Sequence, residues 1–328
     1  MSDPRPVLAA PDSFKGTWRA TEVAAAMERG LEAAGWRVDR CPVADGGEGT
    51  MEVLLTALGG ETAAAPVHDP LGRPVTAGFA LIEDGGTAIV ETAAASGLGL
   101  VAERERDALA ASSAGTGELI AAAARAGAEV VLVGAGGSAT TDGGRGAVAA
   151  IEAAGGLRGA RLVVLCDVRT PWERAAAVFA PQKGAGPEEV RRLARRLRDR
   201  AARLPRDPRG VPMTGAAGGL AGGLWAALGA RLVPGAAFVL DALGFDARAH
   251  AARAVVTGEG RLDRQSLAGK AVGEVAVRCR QRGIPCHAIA GGGALTPFEH
   301  RLLDLAGVDA ASGLEEIEAA ARGLGDRL

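Results

Sequence analysis

Short apolar runs alternate with amphipathic segments along most of this chain, and this alternation limits the folds open to it more than any other feature. Apolar runs of this length predict buried strands, and the segments between them predict helices, a pattern typical of α/β folds with a largely parallel sheet. The exception is residues 62–91, where short runs are separated by turns at 69–72 and 84–86. That stretch predicts a meander of antiparallel strands.

The regular strand and helix rhythm occurs at both ends of the chain, in residues 1–60 and 254–328, with the meander between them. A chain of 328 residues is also longer than a single hydrophobic core usually grows. We therefore predict two domains: a doubly wound domain formed by residues 1–61 and 254–328, and an α/β domain, residues 62–253, inserted between its halves.

The overall charge and hydropathy exclude several classes of partner. The net charge is -2, with 48% apolar and 23% charged residues, which is globular composition and argues against a binder of nucleic acid or anionic membranes. The most apolar window, 214–230, is short for a bilayer span, so we predict a tightly packed soluble helix there. The N-terminus lacks a basic segment followed by an apolar run, which favours a cytoplasmic protein. The predicted partners are small molecules, and a homodimer is left open.

Lysine is almost absent from the chain. Of 37 basic residues, 34 are arginine, and the three lysines, Lys15, Lys183 and Lys270, each lie beside a glycine. A compact ammonium in a loop where the backbone can approach a ligand suits oxyanion or phosphate binding better than a planar guanidinium. The alternative is that these three loop positions have lysine rather than arginine by chance.

Almost every predicted strand leads into glycine combined with an acid, a hydroxyl or a lysine. In open α/β sheets ligands lie at the carboxyl ends of the strands, so these loops are predicted to converge on one site. Glycine loops that open helices offer backbone N–H groups to phosphate, and carboxylates without a His or Cys cluster suit Mg²⁺. Each loop alone is also explained as ordinary turn chemistry, but together they predict phosphoryl transfer. The loops are 12–16, 45–50, 134–144, 167, 257–263 and 291–293.

Two rival motifs fit less well. The P-loop pattern is absent, since Ala271 follows Gly269 and Lys270. Residues 134–139 satisfy the dinucleotide fingerprint, but the acid expected about 20 residues later is missing. The four histidines, His68, His250, His287 and His300, lie apart from the loops, which argues against a histidine triad or a zinc site.

Seven segments of the chain closely resemble the bacterial glycerate kinases, in the branch that phosphorylates D-glycerate at its 2-hydroxyl. The segments are 10–16 (APDSFKG), 42–50 (PVADGGEGT), 115–119 (GTGEL), 136–144 (GGSATTDGG), 180–184 (APQKG), 215–220 (GAAGGL) and 257–263 (TGEGRLD). The resemblance implies conversion of D-glycerate to 2-phosphoglycerate with ATP and Mg²⁺. It also implies a flavodoxin-like domain formed by both chain ends and an inserted mixed-sheet α/β domain.

The chain departs from the family pattern in two places. Thr141 stands where the family usually has asparagine, and the loop 167–179 is shorter and lacks the family's glycine pair. The resemblance therefore implies no ligand contact for the residues between Asp167 and Phe179.

The chemistry of these loops suggests a role for each residue. Lys15 and Lys183 are predicted to bind the substrate carboxylate or the moving phosphoryl group, and Asp45 or Asp142 to accept the hydroxyl proton. The predicted metal ligands are Asp45, Asp142 and Asp167. The predicted substrate contacts are Asp12, Ser13, Gly46, Gly47, Glu48, Ser96, Ser138, Gln182 and Arg261. The predicted nucleotide contacts are Gly115, Thr116, Gly136, Gly137, Glu259, Lys270, Gly291 and Gly292.

Structural roles remain open for many of these residues. Asp45 and Asp142 could stabilise turns, and Ser96, Thr116 and Ser138 could cap helices. Glu259 and Asp263 flank Arg261, so an internal ion pair is as good an account as a ligand contact. Three alternative functions also stay open: phosphorylation of a related hydroxy acid, 3-phosphoglycerate as product, and a non-catalytic carboxylate-binding protein on the same fold.

Overall fold

The computed structural model describes residues 5–267, 269–293 and 295–328, which fold into two compact units. The first unit comprises the chain up to Asp45 together with Ala236–Leu328, and the second is Gly46–Gly235. In chain order the strands are β1 (Val7–Pro11), β2 (Val38–Arg40), β3 (Glu61–His68), β4 (Pro74–Ile82), β5 (Thr87–Glu91), β6 (Val130–Gly134), β7 (Arg161–Cys166), β8 (Arg231–Pro234), β9 (Ala254–Glu259), β10 (Cys286–Ala290) and β11 (Gly307–Ala310).

The α-helices connect these strands. They are α1 (Ala20–Ala33), α2 (Thr50–Leu58), α3 (Thr92–Ser96), α4 (Ala114–Arg125), α5 (Arg145–Ala153), α6 (Ala175–Phe179), α7 (Pro187–Ala201), α8 (Leu220–Leu228), α9 (Gly235–Ala242), α10 (Phe245–Ala251), α11 (Arg264–Leu267), α12 (Ala271–Arg282), α13 (Pro297–Leu303) and α14 (Leu314–Gly325). None of the helices in the described part of the chain combines the length and apolarity needed to cross a membrane.

The first unit contains a five-stranded parallel sheet with the order β11-β10-β9-β1-β2. Counted within this unit alone, that is the flavodoxin-like order, and β1 from one chain end pairs directly with β9 from the other. All five residues of β1 are buried, as expected for a central strand covered on both faces. The predicted doubly wound domain formed by both chain ends is confirmed.

The second unit contains a six-stranded mixed sheet with the order β3-β4-β5-β6-β7-β8. Strands β3, β4 and β5 are antiparallel neighbours, and β5 through β8 are parallel. The predicted meander is therefore present, and it continues into a parallel sheet. The apolar core of this unit includes Leu119 and Ile120 of α4, Ile151 of α5 and Leu224 of α8.

The units divide at different residues from the predicted boundaries of 61/62 and 253/254. The helix α2 packs on β4 and β5, so it belongs to the second unit. The segment that contains α9 and α10 belongs to the first, where Arg278 of α12 forms ion pairs with Asp241 at 2.7 Å and Asp246 at 3.4 Å. These long-range contacts have no signature in local hydrophobic periodicity.

The apolar window 214–230 is not one continuous helix. Residues Ala217 and Gly218 have φ values of 51° and 66°, so a tight turn precedes α8. The backbone there lies so close to another segment that a Cβ built on Gly218 would be 1.9 Å from the carbonyl oxygen of Thr140. The predicted long helix is wrong at this point because glycine serves close packing and positive φ rather than helix formation.

The contact between α4 and α5 depends on Gly117. A Cβ at this position would lie 2.3 Å from the carbonyl oxygen of Ala147 and 2.6 Å from its Cα. We predict that Gly117→Ala lowers the free energy of unfolding by roughly 1–3 kcal/mol, because backbone atoms on a packed helix cannot move aside at low cost. Denaturant unfolding monitored by circular dichroism would measure the change.

The matched control is Gly99→Ala. Gly99 is exposed, and a Cβ built on it meets no atom within 4 Å. This variant is expected to unfold within about 0.5 kcal/mol of the parent. Equal stability of the two variants would contradict the close-packing account of Gly117.

Candidate active site

The carboxyl ends of β1 and β9 lie side by side at the point where the strand order of the first sheet reverses. From β1 the chain continues to β2 on one side, and from β9 it continues to β10 on the other. Asp12 follows β1 directly, and its backbone N–H donates to the carbonyl oxygen of Gly258 in β9 at 2.8 Å. Glu259 is the last residue of β9. The sheet thus places two carboxylates at the topological switch point, where open α/β sheets bind ligands.

Asp12 is almost completely buried, with 3% of its surface exposed. Burial first, and then the charge of Asp45, raise the pKa of its carboxyl group to about 8, against the opposing effect of Lys15. The Ser13 backbone N–H donates to Asp12 Oδ1 at 2.6 Å. In the structure without ligands, Asp12 therefore carries a proton near neutral pH and is available as a hydrogen-bond donor.

Lys15 and Asp45, which are 30 positions apart in the sequence, form an ion pair. Lys15 Nζ lies 3.0 Å from Asp45 Oδ2. The Asp45 side chain is 1% exposed, whereas that of Lys15 is 52% exposed, so the ammonium can face solvent and a buried carboxylate at the same time. The fold therefore brings together two of the four residues predicted to be catalytic, next to Asp12.

Glu259 is buried beside the same group of residues. Burial raises the pKa of its carboxyl to about 7, and the hydrogen bond from Ser266 Oγ, with Lys270 and Lys15, lowers it. Ser266 is fully buried and was not predicted as a site residue. Arg261 is exposed and forms no ion pair with another described residue. Glu259 instead accepts a hydrogen bond from the Ser266 hydroxyl, so the predicted alternative of an ion pair with Arg261 is wrong.

Other predicted nucleotide contacts of the first unit lie near this group. Lys270 is the residue before the first turn of α12. Gly291 follows β10, and its N–H donates to the carbonyl oxygen of Glu259 at 3.2 Å. A Cβ on Gly291 would lie 2.7 Å from Gly260 O, while one on Gly292 would meet nothing within 4 Å. Gly291 therefore has a packing role, and Gly292 has free space beside it.

Lys183, in the second unit, is buried with 2% of its surface exposed. Its Nζ donates to Ser138 Oγ at 2.9 Å and to the carbonyl oxygen of Thr140 at 2.5 Å. Burial lowers its pKa to about 7, although Asp142 and Asp167 oppose the shift. The predicted residues Lys183 and Ser138 are thus in direct contact, while Gln182 beside them is exposed.

The carboxylate of Asp142 is saturated with hydrogen bonds. It accepts the backbone N–H groups of Ser113, Gly144 and Gly146, each at 3.0 Å, and the Ser113 hydroxyl at 2.8 Å. Four donors on two oxygens fix the loop that opens α5, an arrangement that favours the turn-stabilising alternative over proton transfer. Ser113 has no distinguishing local pattern and was not predicted.

Ser96 and Thr116 are bonded to each other in the core. The Thr116 hydroxyl donates to Ser96 Oγ at 2.8 Å, and both side chains are 0% exposed. The neighbouring Gly115 lies against the backbone of β3, where a Cβ would be 1.9 Å from the carbonyl oxygen of His68. These contacts support a structural role, rather than ligand binding, for Ser96, Thr116 and Gly115.

The glycines of residues 46–49 and 134–137 also pack against one another. A Cβ on Gly136 would lie 2.6 Å from the Cα of Gly47, and one on Gly46 would lie 2.6 Å from the Cα of Gly235. Gly137 has a φ of 65° and lies near the exposed Glu48. The sequence predicted close approach of these backbones to a ligand, and the structure shows close approach of backbone to backbone.

Glu91 is a buried acid that the sequence analysis missed. It ends β5, is 8% exposed and accepts the backbone N–H of Met51 at 2.8 Å. Burial raises its pKa to about 7, while the N–H groups of Met51 and Gly49 oppose the shift. The sequence signal for Glu91 was its position at the carboxyl end of a strand, where ligands bind in open α/β sheets. The sequence analysis assigned that strand to an antiparallel meander and therefore did not consider its end as part of the site.

The three predicted metal ligands do not belong to a recognisable metal cluster. Within residues 5–267, 269–293 and 295–328, no three His, Cys, Asp or Glu side chains are grouped so as to hold an ion. Asp142 is committed to its four donors, and Asp167 is half-buried near Lys183. Magnesium bound through phosphate oxygens and one or two carboxylates does not require such a cluster.

Comparison with known proteins gives consistent matches. A family model described as "Glycerate kinase family" matches residues 7–156 and 152–321. A glycerate kinase of Bacillus subtilis is 40% identical, over 87% of this chain and 84% of that protein. A glycerate 2-kinase of Escherichia coli is 38% identical, over 87% of this chain and 84% of its own length. The crystal structure of a candidate glycerate kinase 2 from Salmonella typhimurium superposes with a TM-score of 0.82, at 35% identity, and covers 99% of this chain and 98% of that one.

The raised pKa of Glu91 predicts a pH-dependent cost to stability. A carboxyl whose pKa rises from 4.5 to about 7 on folding binds more protons in the native state than in the unfolded state between those values, so stability falls as pH rises through this window. We predict that Glu91→Gln removes a cost of up to about 3 kcal/mol at pH 8 and little at pH 4.5.

Chemical denaturation of the parent and Glu91→Gln between pH 4.5 and 8 would test this. Glutamine keeps an oxygen that can accept the Met51 N–H, so the comparison isolates the charge. Parallel stability curves for the two proteins over that range would contradict the assignment.

Proposed function

The chain belongs to the glycerate kinase family, and on that premise we propose that it transfers the terminal phosphoryl group of ATP to the 2-hydroxyl of D-glycerate, forming 2-phosphoglycerate. It is a phosphotransferase with an alcohol group as acceptor. The observation that carries the proposal is the ion pair of half-exposed Lys15 with buried Asp45, next to Asp12 at the switch point of the sheet.

In the proposed reaction, the glycerate hydroxyl oxygen attacks the γ-phosphorus and forms the new P–O bond. The bond from that phosphorus to the bridging oxygen breaks, ADP leaves, and Asp45 accepts the hydroxyl proton. Lys15 offers a positive charge to the substrate carboxylate or to the phosphoryl oxygens. Most of the catalysis then comes from positioning and charge neutralisation, as is usual in phosphoryl transfer.

The first unit has a donor set that suits Mg²⁺. Asp45 and Asp12 provide hard carboxylate oxygens, and the charge of Asp45 raises the pKa of Asp12, so negative potential is concentrated there. A divalent ion stabilises such a pair of carboxylates in the ionised state. We assign Asp12 as the carboxylate that would hold the ion together with phosphate oxygens, which leaves Asp45 to accept the hydroxyl proton. When bound, Mg²⁺ would neutralise charge on the phosphate groups.

Lys183 is assigned the role of an internal cation in the second unit. Its two hydrogen bonds fix the Ser138–Thr140 segment. Because the side chain is 2% exposed, water contributes little to solvating its charge. An anionic ligand beside that segment would raise the pKa of Lys183 and strengthen the interaction.

We predict that the purified protein phosphorylates D-glycerate with ATP and that the product couples directly to enolase without a mutase. Mass spectrometry of the product and a coupled enolase assay would measure this. Activity is expected to be lost with EDTA and restored with Mg²⁺. If coupling requires the mutase, the product is 3-phosphoglycerate. If activity survives EDTA, the reaction does not need the metal. If the protein is inactive with glycerate and with related hydroxy acids, a non-catalytic binding protein is favoured.

We predict that Lys15→Ala and Lys183→Met each lower kcat by about 10²-fold or more, because each removes a positive charge from an anion-binding segment. Lys15→Arg and Lys183→Arg are also expected to be poor, since a planar fork does not reproduce a point charge. Steady-state kinetics would measure these effects, with melting temperatures to establish that the variants fold.

Arginines on α7 provide matched controls for the lysine variants. Arg191 and Arg195 are exposed on that helix, and neither forms a hydrogen bond or ion pair with another described residue. Arg191→Ala and Arg195→Ala are expected to keep near-normal kcat. Near-normal activity of both lysine-to-arginine variants would contradict the argument from lysine scarcity.

A further inference from the structure

A pocket of about 830 Å³ lies in the second unit, between α7, the start of α5 and residues 108–112. This volume falls within the range of small-molecule sites. Asp142 on the pocket wall was predicted to accept the hydroxyl proton or to bind metal, and none of the other residues that line the pocket was predicted to have a functional role. The pocket therefore requires its own explanation.

Four arginines line the pocket. Arg196 and Arg200 are one helical turn apart on α7, Arg203 follows at the end of the helix, and Arg145 is the first residue of α5. The spacing of four residues places Arg196 and Arg200 on one face of α7, and Arg203 lies two residues beyond the end of the helix. Arginines at 191 and 195 on the same helix do not line the pocket.

These arginines are only partly neutralised by protein groups. Arg200 Nε donates to the carbonyl oxygen of Gly143 at 2.9 Å, and Arg196 Nη1 donates to that of Leu109 at 2.8 Å, which leaves other N–H groups on each guanidinium. The guanidinium groups of Arg145 and Arg203 form no hydrogen bond or ion pair with another described residue. The carboxylates on the wall are Asp199 and Asp142, and Asp142 is already held by four donors.

Arg145 is close enough to Arg200 for the two positive charges to repel each other. Burial lowers the pKa of Arg200 first; among the neighbouring charges Asp142 raises it, Arg145 lowers it and Glu152 raises it. Placing like charges together is costly unless an anion lies between them.

The pocket wall also includes the buried side chain of Thr141. Thr141 lines the pocket, is 1% exposed, and its Oγ1 has no hydrogen-bond partner among the described residues. A buried hydroxyl without a partner costs free energy, and a ligand oxygen in the pocket would satisfy it. The remaining wall includes Leu193, Leu197 and Leu204, of which Leu193 and Leu197 are only 2% exposed because they pack into the core around Trp172.

We propose that this pocket binds a small phosphate-bearing anion. The arginines supply bidentate donors to phosphate oxygens, and Thr141 supplies a hydroxyl. Two ligands share this chemistry: a nucleotide, and a phosphorylated small acid such as the product of the proposed reaction. The proposal concerns binding alone and does not depend on the proposed kinase activity.

Isothermal titration calorimetry of the full-length protein would test it, with ADP, 2-phosphoglycerate and pyrophosphate as separate probes. The pocket variant is Arg145→Ala with Arg203→Ala, and the control is Arg191→Ala with Arg195→Ala, which removes the same charge from the same region. We expect at least one probe to bind the pocket variant tenfold or more weakly, and the control as tightly as the parent, since charge-assisted hydrogen bonds to phosphate are lost only in the first.

A third variant, Thr141→Val, keeps the shape of the wall and removes only the hydroxyl, so it tests the site even if the double variant folds poorly. It is expected to weaken the same probe. Weakening of ADP together with a raised KM for ATP assigns the pocket to the nucleotide, and weakening of 2-phosphoglycerate alone assigns it to the phosphorylated acid. Unchanged binding of all three probes, or equal weakening in the control, would overturn the proposal whether or not the protein phosphorylates glycerate.

Discussion

The crowding of buried carboxylates at the carboxyl edge of the parallel sheet is the constraint on which the candidate site depends. Asp12, Asp45 and Glu259 are each less than 10% exposed, and ionised acids are expensive to bury. The structure offsets this cost in three ways: Asp12 takes up a proton, Lys15 pairs with Asp45, and Ser266 donates to Glu259. The arrangement follows from the pairing of β1 with β9, which sets Asp12 and Glu259 on adjacent strands although nearly 250 positions separate them. A cation or a proton-donating ligand at this edge would complete the neutralisation that the protein leaves unfinished.

Local sequence patterns predicted the elements and their order, because strands and helices of this kind have clear periodicity. They predicted the doubly wound sheet, the meander, and the association of Lys15 with Asp45 in one site. Their predictions were wrong at glycines that can serve either close packing or ligand binding. Gly115, Gly117 and Gly218 allow helices and loops to pack at distances that a Cβ would forbid, and no local pattern distinguishes this from a backbone that approaches phosphate. The division between the units escaped prediction for a related reason: α2 and α10 belong where their apolar and ionic partners are, and those partners are distant in sequence.

The arginine-rich helix α7 shows how far charge patterning can be read. An arginine-rich helical sequence of this kind is typical of a solvent-exposed face, and most of the arginines of α7 are exposed. Helical periodicity also shows that Arg196 and Arg200 share a face. It could not show that Arg145 of α5 and the buried Thr141 meet that face, because only the fold of the second unit brings α5 and α7 together around a pocket. At position 141, where the chain departs from the family pattern, the threonine lines the pocket and its buried Oγ1 has no hydrogen-bond partner among the residues that the structure describes.

Lys183 explains in physical terms why a chain so rich in arginine retains lysine here. One atom, Nζ, reaches both Ser138 Oγ and the carbonyl oxygen of Thr140 from a side chain that is 2% exposed. A guanidinium is wider, carries its donors on separate nitrogens and stays charged at every physiological pH, so it would need more space and more acceptors at that depth. An ammonium can instead lose its proton when burial dominates and regain it when negative charge approaches, and its pKa near 7 places it close to that balance. Lys15 meets a different requirement with the same group: a flexible stem, half exposed, lets a single point charge pair with buried Asp45 and still face solvent. Scarcity of lysine is therefore informative because the two sites use two properties, a variable charge state and a compact head, that arginine lacks.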